Sequence, residues 1–122
     1  MNNTIKVNRV DSLIEEEVGF SVNNLDIVGF NVSPRELVLG ETYEAEIDIF
    51  MIDFLDMKKQ EDAENKEIKH INNFTYHLWG KLLDKNVLDV GFYITSDLFE
   101  DYQYLAGEYV SLVVDRLQVY CE

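Results

Sequence analysis

Few residues of this 122-residue chain are equipped for chemistry: two histidines, His70 and His77, one cysteine, Cys121, and a large stock of carboxylates. A histidine base needs an orienting carboxylate and a nucleophile within hydrogen-bond reach. His77 stands between Tyr76 and Trp79 with neither in its neighbourhood, and reads as a histidine of a sheet surface. Cys121 is next to the chain end in acidic surroundings, which raise a thiol pKa, and the end of a chain is poorly held. Lacking a second cysteine, it can close no internal disulfide and complete no zinc site. Asp53, Asp56, Asp97, Glu100 and Asp101 could form a glycosidase-type acid and base or a hard-cation cage, yet no calcium-loop spacing organises them. There is no glycine-rich phosphate loop and no nucleophile elbow. The chain is therefore read as non-enzymatic, with no catalytic, cofactor-binding or metal-ligating residues and no cofactor.

The carboxylates that do form a pattern are Glu44, Glu46 and Asp48. They alternate with Tyr43, Ala45, Ile47 and Ile49, the period-two signature of a strand with one face in the core. Three acids two residues apart project the same way and repel one another, and such a ladder is normally interleaved with lysines from the neighbouring strand. Lysines are scarce here. The ordinary role of acids on an outer strand face is to keep the sheet soluble and to block edge pairing. A ladder edged by tyrosine is also a docking face for a basic protein. Tyr43 and Tyr104, the latter expected to point outward from its helix, join Glu44, Glu46 and Asp48 as the candidate partner-binding residues.

Charge supports that choice. The chain holds 24 acids against 10 bases, a net charge of −14. Residues 41–57 carry six acids and no base, and residues 87–122 carry seven acids and Arg116 alone. Such a field repels nucleic acid and anionic membranes and attracts basic partners. With 47% hydrophobic residues the chain can build a core. Its length suits a single domain over residues 1–122. The first residues have no apolar signal-peptide core and no run is long enough to span a membrane, so a cytoplasmic location is expected. The glycosylation-like triplets at Asn31 and Asn73 then carry no meaning.

The elements that must position the ladder are mostly strands. Thr4–Val10 reads as a short strand, and Ser12 with Glu15 as a capping pair that could open one helical turn. Val18–Val22 and Leu25–Val32 flank Asn23-Asn24, a pair suited to a two-residue hairpin turn. Ser33–Glu36 is a turn, and Leu37–Leu39 a short strand ending at Gly40. Thr42–Met57 is read as one long strand whose apolar phase slips at Phe50, Ile52 and Phe54, as at a bulge or barrel corner. Lys58–Lys69 reads as a loop rather than a solvated helix. Ile71–Leu83, bent at Gly80, and Val87–Thr95 form a meander around the turn at Asp84–Asn86. Leu98, Phe99, Tyr102 and Leu105 predict one short helix near residues 97–106, stopped at Gly107, with Asp97 and Glu100 as its capping pair. Glu108–Cys121 is a second long strand that slips at Asp115-Arg116.

Two long strands with internal slips imply a curled antiparallel sheet, an OB-like barrel in preference to a β-sandwich. The expected function is a non-enzymatic protein-interaction domain, in its sharpest form an immunity-type inhibitor that docks an acidic face on a basic partner such as a toxin nuclease. The alternatives are a structural or assembly module of a larger complex and an OB-like ligand-binding domain. For the latter, only Trp79, Lys81 and Lys85 approach what a nucleic-acid groove requires.

Overall fold

The longer strands bury the apolar half of an alternating pattern, and turns with left-handed residues join several of them. The computed structural model describes residues 2–11, 13 and 16–122. Ser12 and Glu15, the expected capping pair, lie outside them. The strands are β1 (Asn3–Val10), β2 (Glu17–Val22), β3 (Leu25–Asn31), β4 (Thr42–Phe50), β5 (Met57–Lys59), β6 (Glu67–Asn72), β7 (Thr75–Leu83), β8 (Val87–Asp89), β9 (Tyr93–Thr95), β10 (Tyr109–Val114) and β11 (Arg116–Tyr120).

Five strands close a barrel in the order β1-β2-β3-β11-β4, with β1 pairing back to β4 and β11 running parallel to β3. This is the OB-like barrel expected from the sequence. A six-stranded second sheet, ordered β5-β10-β7-β8-β9 with β6 also on β7, is inserted between barrel strands β4 and β11. One hydrophobic core draws on both sheets, from Ile5, Phe20 and Ile47 in the barrel to Leu78, Leu88 and Val110 in the insertion.

The two phase slips are the places where the chain changes sheets. The expected strand Thr42–Met57 ends at Phe50, crosses as an irregular segment, and resumes as β5 in the second sheet. The slip at Phe50, Ile52 and Phe54, expected within one strand as at a bulge or barrel corner, is the point at which the strand ends. In fact Ile52 is 79% and Phe54 90% exposed. The expected strand Glu108–Cys121 divides at Asp115 into β10 and β11 and returns to the barrel. The crossings touch: the Ile52 backbone N–H donates to the Asp115 carboxylate at 2.7 Å.

Other elements differ from expectation for local reasons. Asn23 and Asn24 take left-handed φ of 47° and 65° and close the β2–β3 hairpin as foreseen. Leu37–Leu39 is not a strand; Leu37 plugs the core, while the Val38 N–H is held by the Tyr43 hydroxyl. Lys58–Lys69 contains no helix; its ends are strand residues of β5 and β6 around a loop. Ile71–Leu83 is broken by a turn at Asn73-Phe74, so that β6 and β7 form a hairpin. β7 runs unbroken through Gly80, where a Cβ would stand 2.3 Å from the Asp89 carbonyl oxygen, and the glycine lets β8 approach. Val87–Thr95 likewise turns at Gly91, φ 108°, dividing into β8 and β9.

The helix is a 3-10 helix over Asp97–Leu105, and its N-cap is Ser96, whose hydroxyl accepts the Leu98 N–H, rather than Asp97. Phe99, Tyr102 and Leu105 are three apart, and three residues per turn put them on one buried side.

Candidate functional site

On the outer surface of the barrel, Glu44 and Glu46 are exposed, whereas Ala45, Ile47 and Ile49 behind them are buried. The flanking strands fix what lies beside each acid. Thr4 of β1 sits opposite Glu44 and donates its hydroxyl hydrogen to that carboxylate at 2.5 Å. Tyr120 of β11 sits opposite Glu46, and Gln118 opposite Asp48. With the chain end, these residues border a groove of about 430 Å³ lined by Asn2, Arg35, Thr42, Tyr43, Glu44, Glu46, Tyr120 and Glu122. Three carboxylates face one cation in it. That cation is already engaged: the Arg35 guanidinium lies 4.7 Å from the Tyr43 ring centroid. Asn31 holds the turn that delivers Arg35, accepting the Ser33 N–H and donating to the Arg35 carbonyl.

The five residues singled out from sequence thus separate. Glu44 and Glu46 share the groove with Tyr43, which is half-buried and whose hydroxyl serves the Val38 N–H. Asp48 does not line it. Burial raises the Asp48 pKa, against the pull of the Ile49 N–H and the Ser96 hydroxyl, and the nearby Glu46 and Asp97 charges add to the rise. Asp48 therefore belongs to the junction between β4 and the start of the 3-10 helix. Tyr104 is 76% exposed, as expected, but stands on that helix with its ring 6.2 Å from Tyr102 and is not among the groove residues. Tyr102 is tied down, its hydroxyl donating to the Leu55 carbonyl at 2.6 Å.

Tyr120, Glu122 and Arg35 are groove residues that reading the sequence missed. Tyr120 and Glu122 approach β4 through the pairing of β11 with β4, more than sixty residues apart in the chain, and Arg35 through the turn held by Asn31; no local motif marks either.

The residues weighed for catalysis are placed as follows. His77 stacks on Trp79, centroids 3.7 Å apart, and burial, helped by Lys69, lowers its pKa. Among the described residues no carboxylate or nucleophile is hydrogen-bonded to it. Cys121 is buried, and burial pushes its thiol pKa up despite the Ser33 hydroxyl and Arg35. The chain end is held more firmly than expected: the Cys121 N–H donates to Ser33 Oγ at 2.7 Å, because β11 is a barrel strand rather than a tail. Among the described residues no group of three or more His, Cys, Asp or Glu side chains is placed to hold a metal ion, and no helix is long and apolar enough to cross a membrane.

The second sheet carries a different charge balance. Residues 58–95 hold six acids and six bases, most of the chain's cations. Several are paired, as Lys66 is with Asp89 at 2.7 Å and Lys59 with Glu108 at 3.3 Å. A broad cleft of about 790 Å³ opens there beside Lys81, Leu82, Leu83, Lys85 and Gly107. It is remote in chain and charge from the acidic groove.

No curated protein and no solved structure matches the chain. A family model does match it, over residues 1–121, and the chain belongs to that family, described as Uncharacterised conserved protein UCP019853.

Proposed function

We propose that this chain is a non-enzymatic interaction domain that takes a basic protein partner on the acidic groove between β4 and β11. The observation that carries the reading is the groove's composition: Glu44, Glu46 and Glu122 converge beside Tyr120, and the one cation present, Arg35, is engaged on Tyr43. The closed barrel fixes the backbone that presents these carboxylates, and a chain of net charge −14 steers a basic partner toward them before contact. Tyr120, 44% exposed, offers a ring with a hydroxyl at its edge, the kind of side chain that anchors an interface once water is expelled. In its sharpest form the reading is an immunity-type inhibitor. The carboxylates then stand where a toxin nuclease would bind phosphates, and the partner's lysines and arginines are occupied by the inhibitor instead of by nucleic acid.

The residues that carry this proposal are Glu44 and Glu46, with Tyr120 and Glu122 beside them in the groove. Immobilised wild-type chain, exposed to a lysate of its own host and eluted with salt, should retain a basic protein in stoichiometric amount. The Glu44→Gln/Glu46→Gln chain, isosteric and exposed at both positions, should lose most of it. Equal recovery on both would remove these carboxylates from the interface.

A further inference from the structure

We propose that the broad cleft between the β7–β8 turn and the end of the 3-10 helix binds a small amphipathic carboxylate, an apolar chain or ring that carries one negative charge. The volume of the cleft, about 790 Å³, falls within the range of about 300–1,000 Å³ typical of small-molecule sites. Leu82, Leu83, Val87 and Ala106 give it apolar wall, and Lys81 and Lys85 are the cations that line it. Lysines suit such a site because the stem packs on the apolar part of a ligand while the ammonium meets its charge.

The walls are in place before anything binds. Lys85 and Asn86 both take a left-handed φ of 62° and close the turn between β7 and β8. The hairpin is then tied to the helix at both ends: the Asn86 carbonyl accepts the Ser96 N–H at 3.1 Å, and the Leu82 carbonyl accepts the Gly107 N–H at 2.7 Å. A Cβ on Gly107 would meet nothing within 4 Å, so the far end of the helix opens on free space. A preformed cleft of this kind costs little ordering on binding.

Charge selects the ligand. Arg9, Lys58, Lys59 and Lys66 each hold a carboxylate, whereas among the described residues Lys81 and Lys85 enter no ion pair. Two acids adjoin the lining residues in the chain or across the sheet, and both have partners. Asp89, opposite Lys81 in the register, is held by Lys66 at 2.7 Å, and Glu108, next to Gly107, is held by Lys59 at 3.3 Å. Of the lining residues themselves only Asp84 is acidic, so the cleft carries two lysines against one carboxylate. That excess of one positive charge matches one carboxylate. A polyphosphate would bring more negative charge than two lysines can meet, against the field of a chain of net charge −14. No aromatic ring lines the cleft, which leaves a nucleobase nothing to stack on.

Octanoate, octanol and octylamine, titrated separately into the full chain and followed by amide NMR shifts, test the assignment. Octanoate should saturate one site, with the largest shifts at Leu82, Leu83, Val87 and Ala106. Octanol should bind about tenfold more weakly, for want of the two lysine contacts, and octylamine more weakly again, although the overall charge of the chain favours a cation. In Lys81→Gln/Lys85→Gln, altered at side chains that reach solvent, octanoate should fall to the affinity of octanol while the remaining amide spectrum stays that of the wild type. Octanol or octylamine bound as tightly as octanoate by the wild type overturns the proposal without recourse to any variant. Octanoate that fails to saturate by about 10 mM, that shifts chiefly amides elsewhere, or that binds the glutamine variant undiminished overturns it as well. Glu44 and Glu46 are untouched throughout, so capture of a basic partner on the β4 groove fails or succeeds independently.

Discussion

β4 and the crossing that follows it present opposite surfaces within a dozen residues. Over Glu44 and Glu46 the strand shows charge, pinned on a closed barrel and bordered by Tyr120; over Ile52 and Phe54 the chain shows bare apolar side chains. The first surface suits rapid capture of an oppositely charged protein, since long-range fields act on the association rate. The second suits a short-range contact that resists salt. Their difference comes from one event in the backbone, the departure of the chain from the barrel at Phe50. Up to that residue alternate side chains have a core to enter. From Ile52 to Phe54 they have none, until Leu55 and Met57 enter the core again.

The barrel and the inserted sheet can be set against each other most sharply through two glycines. A Cβ at Gly80 would meet the Asp89 carbonyl at 2.3 Å, and one at Gly29 would meet the Leu117 carbonyl at 2.7 Å, so both contacts are with backbone that cannot rotate away. Gly80→Ala and Gly29→Ala should each cost about 1–3 kcal/mol in denaturant unfolding, the former more. Because the two sheets share one core, each variant should still unfold in a single transition. Two separated transitions for Gly80→Ala would mean that the insertion unfolds apart from the barrel.

A smaller effect is expected at Asp48, on the same strand as the ladder but outside the groove. Its pKa in the fold lies above the ordinary 3.8, chiefly through burial. The protonated carboxyl therefore favours the folded state. That contribution is fully present below the unfolded pKa and is lost as pH rises through the raised value. At neutral pH the ionised group, half-buried near Glu46 and Asp97, weakens the junction with the 3-10 helix. Asp48→Asn keeps an acceptor for the Ile49 N–H and should raise the melting temperature by a few degrees at neutral pH, an advantage that shrinks toward zero as pH falls below 3.8. An advantage of the same size at every pH would assign the gain to something other than the carboxylate charge.

Much of this was legible in the chain, and the failures share a cause. Alternation reports which way a side chain faces, and Ile47 and Ile49 are buried as it indicates. Asparagine pairs tolerate left-handed φ, which located the β2–β3 turn. Alternation does not report which sheet a strand joins. At Phe50 and Asp115 the positions of the slips were visible, but a change of sheet and a bulge within one strand leave the same trace. Phe50, Ile52 and Phe54 look like a continued core face because apolar side chains alternate identically whether or not anything covers them. The spacing of three between Phe99, Tyr102 and Leu105 held the sign of a 3-10 helix, yet it also fits one side of an α-helix. At the candidate site, Glu44 and Glu46 were readable because the pattern is local. Tyr120, Glu122 and Arg35 were not, since they reach the groove through the β4–β11 pairing and the turn held by Asn31.

The measurement that bears most directly on the account is the association rate of the salt-eluted basic partner with three forms of the chain, taken at low and at high ionic strength. Glu44→Gln/Glu46→Gln should slow association by about tenfold at low salt and flatten its dependence on ionic strength, whereas Ile52→Ser/Phe54→Ser should associate as the wild type does. An unchanged on-rate and salt slope for the glutamine variant would contradict the assignment of the β4 groove as the partner-binding face.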